Sequence, residues 1–478
     1  MSVALLLLLI PLLSAVVLAL VRGYRLGAWI NVTASAATFV ASLGLFVTER
    51  AHSPLLFVDD FNIYLIVLTA FVATTTSIFS ATYIRHEIEI GRLTPKSLRF
   101  YHAMYQAFVF TLLFGLMANN LGFLWVAVEG ATLTTALMVS LYRTHAAIEA
   151  AWKYFILCGV GIALALFGTI LLYLAAQPVM GGGLPAMAWT DLLARVAEFD
   201  PTLLNLAFVF LLIGYGTKAG LAPLHAWLPD AHAEGPTPIS AVLSGLLLNV
   251  ALYAVLRFKM LLAANGEALA PGPLMIAMGL TSLSLASVML YRRRDIKRLF
   301  AYSSIEHMGI ITFAFGLGGP LANFAGLLHM TMHSLTKSAI FFTVGHIAQV
   351  KGTQTIADLR GLTVSHPRLG WSLVVGVVAI AGLPPLGIFT SEFLVVTTTI
   401  ARQPILAVPL VLALLVGFGA LILRLQGLAF GVPRGNLQNQ VEASMLPLQV
   451  HLALVLVAGL YLPPPLVAWF QSVARLLG

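Results

Sequence analysis

Residues 203–230 read LLNLAFVFLLIGYGTKAGLAPLHAWLPD. The first part of this stretch is an apolar run of the kind that crosses a bilayer core, which takes about 20 helical residues. The second part interrupts the run with Gly220 and Pro223 and places Lys218 directly before the interruption. Glycine and proline at membrane depth free backbone groups that need polar or watery neighbours. The stretch therefore predicts a membrane helix that is broken and carries a charge at its break.

A second stretch has the same features. Residues 369–397 are apolar, but they carry Gly382, Pro384 and Pro385 shortly before Glu392. Interrupted helices at corresponding places in two halves of a chain are typical of inverted-repeat transporters. The sequence therefore predicts two inverted five-helix repeats, with breaks in the seventh and twelfth spans.

The composition places the chain in the membrane class. Of its 478 residues, 60% are hydrophobic and 9% are charged, against about 25% charged in an average soluble domain. The formal net charge is +8, but the basic residues lie between apolar runs and are topology signals, so no nucleic-acid partner is expected. With one cysteine, Cys158, the chain has no disulfide, zinc or iron-sulfur framework, and we expect no cofactor or metal in it.

Apolar runs of membrane length define the predicted architecture. No alternating strand pattern competes with them, so the sequence predicts an all-α polytopic membrane protein with about 14 transmembrane helices. The runs lie near residues 2–20, 27–48, 62–83, 103–118, 121–141, 150–175, 203–222, 239–262, 271–290, 299–318, 321–348, 369–397, 403–425 and 446–470. The predicted units are helices 1–3 in 1–102, a first half-channel repeat in 103–262, a second in 263–425, and a last helix in 426–478.

The distribution of basic residues predicts the orientation. The chain has 26 Lys and Arg residues, and setting aside Lys218 and Lys337 inside spans leaves 24, of which eighteen fall in odd-numbered loops and six on the even side. Cytoplasmic loops carry the excess of Lys and Arg. We therefore expect a multi-pass protein of the inner (cytoplasmic) cell membrane with both termini outside.

A few ionisable residues lie inside predicted spans, where a charge costs roughly 2.5–3.5 kcal/mol at the bilayer centre. Three of them are spaced i, i+4 and i+8, which stacks them on one helix face over about 12 Å. Histidine can load and release a proton near neutral pH, and a lysine close to a glutamate holds its proton until the two separate. The sequence therefore predicts a proton path through these residues: Glu129, Lys218, His329, His333, Lys337 and Glu392.

Other readings of these polar residues stay open. Either lysine could extend its ammonium to the membrane surface. His225 and His232, beside the first break, are as well explained as structural hydrogen-bond donors. Glu306 and His307 fit either a helix-end cap or a partner in the second half.

The motifs resemble those of a known family. The matching segments are Lys218 with PLHAWLPDAH at 223–232, DIKRLFAYSS at 295–304, and His329 to Lys337 followed by GLP at 382–384 and Glu392. Together they resemble the antiporter-like subunits shared by respiratory complex I, Mrp-type cation/proton antiporters and membrane-bound group 4 nickel-iron hydrogenases. The resemblance covers roughly residues 60–425.

The resemblance implies a role for each matching residue. Glu129 and Lys218 would work the first half-channel, while His329, His333, Lys337 and Glu392 would connect to and form the second. Asn249 departs from the pattern, because many members have lysine or histidine there, and water is expected to serve the link at that point. Residues 305–309, IEHMG, are similar to component F of hydrogenase-4.

The resemblance also implies partners. It points to other antiporter-like and small membrane subunits and to a peripheral hydrogenase or dehydrogenase arm that holds the Fe-S and Ni-Fe centres. The chain itself has no redox motif, so it would be a proton-pumping subunit rather than the catalytic one. Three alternatives remain: a stand-alone or Mrp-like cation/proton antiporter, the membrane subunit of an inorganic-carbon uptake system, and a structural subunit with inert charges.

Overall fold

The computed structural model describes residues 2–48, 50–434 and 444–478. This described part contains helices and a few isolated bridges but no β-strand. The helices of the first half are α1 Val3–Leu20, α2 Tyr24–Leu43, α3 Asp60–Glu89, α4 Pro95–Met117, α5 Leu121–Val139, α6 His145–Met180, α7 Trp189–Arg195, α8 Pro201–Lys218, α9 Trp227–Glu234, α10 Thr237–Val242 and α11 Leu248–Ala263. Those of the second half are α12 Gly272–Leu290, α13 Ile296–Leu317, α14 Gly319–Lys351, α15 Leu362–Ser365, α16 Pro367–Ile380, α17 Gly387–Arg402, α18 Pro404–Phe430, α19 Leu446–Leu460 and α20 Pro464–Leu476.

The all-helical membrane architecture predicted from the sequence is confirmed. Within the described residues, ten helical stretches are long and apolar enough to cross a membrane, and a bent pair makes eleven if it is counted as one span. The other predicted spans fall on α13, α14 and the pair α16–α17. α13 and α14 are rich in buried polar residues, and α16 and α17 are short. The exact number of fourteen spans and the inverted repeats therefore stay predictions.

The last predicted span is divided in the structure. The sequence predicts one span over 446–470, but α19 ends at Leu460 and α20 begins at Pro464, with an angle of 82° between them. Three prolines in succession, Pro463–Pro465, end the first helix because proline cannot donate to a preceding carbonyl.

Both predicted breaks are present. α8 ends at Lys218 and the chain continues through Gly220, which has a φ of 76°, before α9 begins. α16 ends at Ile380 and continues through Gly382, with a φ of 69°, before α17 begins. A left-handed backbone after a helix end is where glycine is favoured. The sequence signal for the two breaks was therefore the glycine as much as the proline.

The centre of the molecule contains the most deeply buried helices. A π-helical turn at Leu243–Leu247 joins α10 to α11. The whole stretch, Thr237–Ala263, is buried over nearly its full length. Nearly every residue of α13 and most of α14 are also buried. By contrast, α1, α2 and α18 expose much of their apolar surface, so they form the lipid-facing rim.

Close helix contacts fix the first break in place. α8 begins after Asp200, whose side chain accepts a hydrogen bond from the Leu203 N–H at 2.8 Å. Near its other end, Gly214 packs on α6 so tightly that a Cβ there would lie 2.6 Å from the Gly161 carbonyl oxygen. Small residues let membrane helices approach in this way. The contact holds Lys218, one turn later, against α6.

Candidate functional site

Lys218 is the centre of a first polar group. Its side chain is fully buried, and its Nζ donates to Thr132 Oγ1 of α5 at 2.7 Å and to Tyr154 Oη of α6 at 2.5 Å. The ammonium also lies 4.4 Å from the centre of the Tyr154 ring and 5.8 Å from that of Trp227. The lysine does not extend to a membrane surface in this structure; three helices and the break hold it inside.

Glu129 lies near this group without joining Lys218 directly. It is half-buried on α5, one turn before Thr132, and its Oε2 is buried with no hydrogen-bond partner among the described residues. No carboxylate of the described residues lies within 4.0 Å of the Lys218 ammonium, which bonds to Thr132 instead. The pair that the sequence predicts as a switch is therefore open here, with the threonine hydroxyl beside the lysine.

Hydroxyl and amide groups form a middle group around the π-helical turn. Ser244 Oγ lies 2.7 Å from Ser304 Oγ of α13. Asn249 Nδ2 donates to Ser334 Oγ of α14 at 2.7 Å, while Asn249 Oδ1 has no partner in the described part of the chain. Asn249 thus stands in a polar junction between α11 and α14, where the family resemblance places the link between half-channels.

The second polar group begins with Lys337. This lysine, His333 and His329 are all fully buried on α14, as the spacing predicts for one inward face. The Lys337 Nζ donates to the Phe300 carbonyl oxygen at 3.0 Å. Both ring nitrogens of His333 lack a hydrogen-bond partner among the described residues.

Two histidines and a glutamate meet at the second break. His307 Nδ1 lies 2.9 Å from His329 Nε2 and 3.9 Å from Glu392 Oε1. The other nitrogen of His329, Nδ1, lies 2.9 Å from Ser391 Oγ. The His307 ring also stacks on His333, with ring centres 5.8 Å apart. His307 is therefore a second-half partner and not a helix-end cap.

Glu306 belongs to the same half but points to another side. It is 3% exposed, its Oε1 accepts from Ser287 Oγ of α12 at 3.0 Å, and its Oε2 has no partner within the described ranges. Its carboxylate packs against Gly417 of α18, while that of Glu392 packs against Gly382 at the break. Glycine at both places leaves room for a carboxylate inside the helix bundle.

The two histidines beside the first break differ. His232 is fully buried, stacks on Phe341 with ring centres 4.8 Å apart, and has neither ring nitrogen bonded within the described residues. His225 is 9% exposed and its Nδ1 has no partner in the same set. Within the described residues, the interpretation of His232 as a satisfied structural hydrogen-bond donor therefore has no support, while for His225 it stays a prediction.

One cluster has the composition of a metal site. His307, His329 and Glu392 place one ligand atom each within 4.8 Å of one another. Such a set could hold zinc. The two facing nitrogens, however, are at hydrogen-bonding distance, and a nitrogen that shares a proton is not free to ligate a metal. The arrangement suits proton exchange between the two rings.

Several buried polar residues escaped the sequence analysis. Thr132, Tyr154 and Ser391 carry no sequence signal, because threonine, tyrosine and serine are common in membrane helices. Glu87 is fully buried at the end of α3 and accepts from Gln349 Nε2 at 2.8 Å.

The buried arginine Arg257 was also missed. It binds both oxygens of the Asp59 carboxylate, at 2.7 and 2.8 Å, and this aspartate also caps α3. Four aromatic rings surround the guanidinium, with centres 4.5 to 5.1 Å away. It is one of the six basic residues that the charge distribution assigns to the even side.

Broken helices that bury lysines, histidines and glutamates in a helical membrane bundle define a class, the ion-translocating membrane proteins. Comparison with known proteins specifies the family. Residues 118–417 match the family described as "NADH:quinone oxidoreductase/Mrp antiporter, TM". The chain belongs to this family and is an antiporter-like membrane subunit, as the motifs indicated.

One relative is similar over nearly the whole chain. The chain is 60% identical over 469 residues, 98% of both sequences, to the hydrogenase-4 component F homolog of Methylacidiphilum infernorum (isolate V4).

Two solved structures share the fold. One is a chain of the membrane-bound sulfane sulfur reductase (MBS), an archaeal respiratory membrane complex, with a TM-score of 0.87, 22% identity and coverage of 99% of this chain and 97% of that one. The other is a chain of respiratory complex I from Thermus thermophilus, with a TM-score of 0.82, 24% identity and full coverage of both chains.

Proposed function

We propose that this chain translocates protons across the cell membrane along its buried polar groups, driven by electron transfer in partner subunits. The observation that supports this most strongly is the cluster at the second break, where His307 Nδ1 lies 2.9 Å from His329 Nε2 and 3.9 Å from Glu392 Oε1. His333 and Lys337 follow His329 along α14 and are also fully buried. Each half of the molecule then has its own buried lysine, Lys218 or Lys337.

Unpaired polar atoms support a hydrated path. A buried polar atom left without a hydrogen bond costs about 1–3 kcal/mol, and proteins offset this with internal water. Such atoms occur in the described residues at Glu129, His232, Asn249, His333 and Glu306. They extend from the first group through the middle group to the second. We infer that water joins the side chains there and carries protons between them.

The resemblance extends the proposal to the surroundings of the chain. We propose that it lies in the cytoplasmic membrane with both termini outside, beside other antiporter-like and small membrane subunits. A peripheral hydrogenase or dehydrogenase arm would hold the Fe-S and Ni-Fe centres and supply the energy. The 60% identity to a hydrogenase-4 component F homolog favours a hydrogenase arm.

The test uses sealed inverted vesicles that contain the assembled complex, with a pH-sensitive dye and the electron donor that the complex oxidises. We expect donor-driven proton uptake in the wild type and its loss in Lys218→Met. The control is Lys259→Met, because Lys259 is also buried but, among the described residues, bonds only to the Leu477 carbonyl oxygen, away from the polar groups. Equal uptake in both variants would contradict the proposal.

A second candidate is a cation/proton antiporter that needs no redox partner, since the matched family includes Mrp antiporters. Vesicles that contain this chain without electron donor separate the two. A proton flux that starts on addition of a sodium gradient alone favours the antiporter. A flux that requires the donor and persists without sodium favours the redox-driven pump.

A further inference from the structure

A basic pocket lies at one end of the molecule, away from the buried polar groups. Its volume is about 450 Å³, and it is bounded by the turn between α12 and α13, the loop at 355–360 and the end of α18. The lining residues include five arginines: Arg293, Arg294, Arg360, Arg424 and Arg434. All three segments belong to odd-numbered loops, the side predicted to face the cytoplasm.

The positive charge of this arginine pocket is not neutralised within the described residues. No aspartate or glutamate lines it. The side chains of Arg294 and Arg360 make no hydrogen bond or ion pair with the residues that the structure describes. Two acidic residues are near in sequence: Asp295 is engaged as the cap of α13, and Asp358, in the 355–360 loop, does not line the pocket. Five like charges in one cavity repel one another unless an anion joins them.

Other contacts hold part of the cluster in position. The guanidinium of Arg293 donates to the Met289 carbonyl oxygen at 3.0 Å and lies 4.6 Å from the centre of the Tyr302 ring. Arg424 donates to the Tyr291 carbonyl oxygen. These arginines are therefore arranged before any ligand arrives, which lowers the ordering cost of binding.

The pocket opens along the lipid-facing side of α18. At Gly427, a lining residue, a Cβ would meet no atom within 4 Å, so this helix leaves the space free. Leu423, which also lines the pocket, is 60% exposed, and Leu415 and Leu412, on the same face of α18, are 60% and 58% exposed. The site therefore combines a cationic cavity with an apolar strip that continues into the membrane.

We propose that the arginine pocket binds the phosphate of an anionic phospholipid, whose acyl chains lie along Leu423 and Leu415. Guanidinium groups match phosphate oxygens in pairs. Basic pockets between membrane helices on the cytoplasmic side suit anionic lipid head groups. The same three helices, α12, α13 and α18, enclose Glu306 through Ser287 and Gly417. A lipid that contacts all three helices at their cytoplasmic ends would stabilise the packing around the Glu306 carboxylate.

The test measures lipid affinity of the purified full-length complex by native mass spectrometry, with phosphatidylglycerol and phosphatidylcholine added in turn. We expect preference for phosphatidylglycerol in the wild type. The double variant Arg294→Gln/Arg360→Gln should lose about tenfold or more of that affinity, the factor that corresponds to about 1.4 kcal/mol. The control Arg292→Gln/Arg368→Gln removes the same charge from exposed residues on the same predicted side and should bind as the wild type does.

A second variant separates the pocket from general charge. Gly427→Leu keeps every arginine but fills the cavity, so phosphatidylglycerol affinity should fall with it. Unchanged affinity in Gly427→Leu or in the pocket double variant overturns the proposal. Displacement of the lipid by an equal concentration of inorganic phosphate assigns the site to a free anion and also overturns it. So does loss of a protein subunit from the double variant with lipid affinity unchanged, which marks an acidic docking partner.

Discussion

At the scale of single residues, the first polar group depends on uncharged side chains. The Lys218 ammonium depends on two hydroxyls, those of Thr132 and Tyr154. Tyr154 in turn lies 2.6 Å from Thr135 Oγ1, so it connects the lysine to a second hydroxyl on α5. Glu129, which the family resemblance assigns to this group, makes no direct bond to the lysine among the described residues; the Thr132 hydroxyl lies beside the ammonium instead. On the proposed function, proton exchange between the two would therefore depend on hydroxyl groups that no charge pattern reveals.

Removal of one hydroxyl tests this arrangement. Tyr154→Phe deletes an acceptor of the Lys218 ammonium, and a hydrogen bond to a charged group contributes about 1.5–3 kcal/mol, so donor-driven proton uptake should slow by roughly tenfold or more. Tyr173→Phe, on the same helix but half-buried and away from the lysine, is the matched control. Equal uptake rates in the two variants would show that the Tyr154 hydroxyl has no role in proton uptake.

We expect Arg257 to contribute to stability. Its pairing with Asp59 joins α11 to the start of α3, and its aromatic surroundings hold the guanidinium flat. Arg257→Gln should lower the free energy of unfolding by about 1.5–3 kcal/mol, because hydrogen bonds to a charged and partly buried carboxylate are lost. Thermal unfolding of the purified protein measures the effect. Arg195→Gln, which breaks an exposed pair with Glu198, should leave the unfolding temperature unchanged.

At the level of elements, the breaks between α8 and α9 and between α16 and α17 position two of the candidate ionisable side chains. Lys218 is the last residue of α8, and Glu392 packs on the glycine of the second break. Each break therefore brings an ionisable side chain to the depth where the backbone itself is polar. α13 and α14 carry most of the second polar group. Their polar side chains explain why neither helix is apolar enough to be recognised as a membrane span.

The contact between α6 and α8 is a testable part of this geometry. Gly214→Val would press two methyl groups on the backbone of Gly161 and Ala165, so α8 must shift and carry Lys218 away from Tyr154. We expect lower yield of folded protein and loss of proton uptake in what remains. Gly159→Val, on α6 where a Cβ meets nothing within 4 Å, should keep both. Equal behaviour of the two valine variants would show that the close approach is unimportant.

Some of the site could be predicted from the sequence because its signal is periodic or rare. The spacing of His329, His333 and Lys337 places them on one inward face, and the structure has them there. The breaks followed from glycine and proline. The contact of His307 with His329 could not be derived, because it joins two helices whose relative position no local pattern fixes.

The rest of the site was hidden by residue type or position. Tyr154 looks like any aromatic residue of a membrane helix. Arg257 looked like a loop charge because it lies near the end of its helix. The sequence predicts one span over 446–470, but the helix ends before three prolines, and the direction of the chain after them depends on packing. All three features are set by tertiary contacts, which no local sequence pattern reveals.

For the whole molecule, the distribution of basic residues predicts which face is cytoplasmic. The single natural cysteine, Cys158, is buried, so it should not react when an introduced cysteine is labelled with a maleimide. Ala197→Cys lies in an even-side loop and should react with a membrane-impermeant maleimide in whole cells. Arg292→Cys, in an odd-numbered loop, should react only after the membrane is opened. The reverse pattern would invert the orientation, and with it the direction of transport.

On the proposed function, titratable side chains buried in this bundle carry protons when electrons move in the complex. The decisive measurement is the number of protons taken up per electron pair in sealed inverted vesicles, for the wild type and for Lys337→Met. Because Lys337 is the buried lysine of the second half, we expect fewer protons per electron pair in the variant. An unchanged ratio, with electron transfer at the wild-type rate, would contradict it.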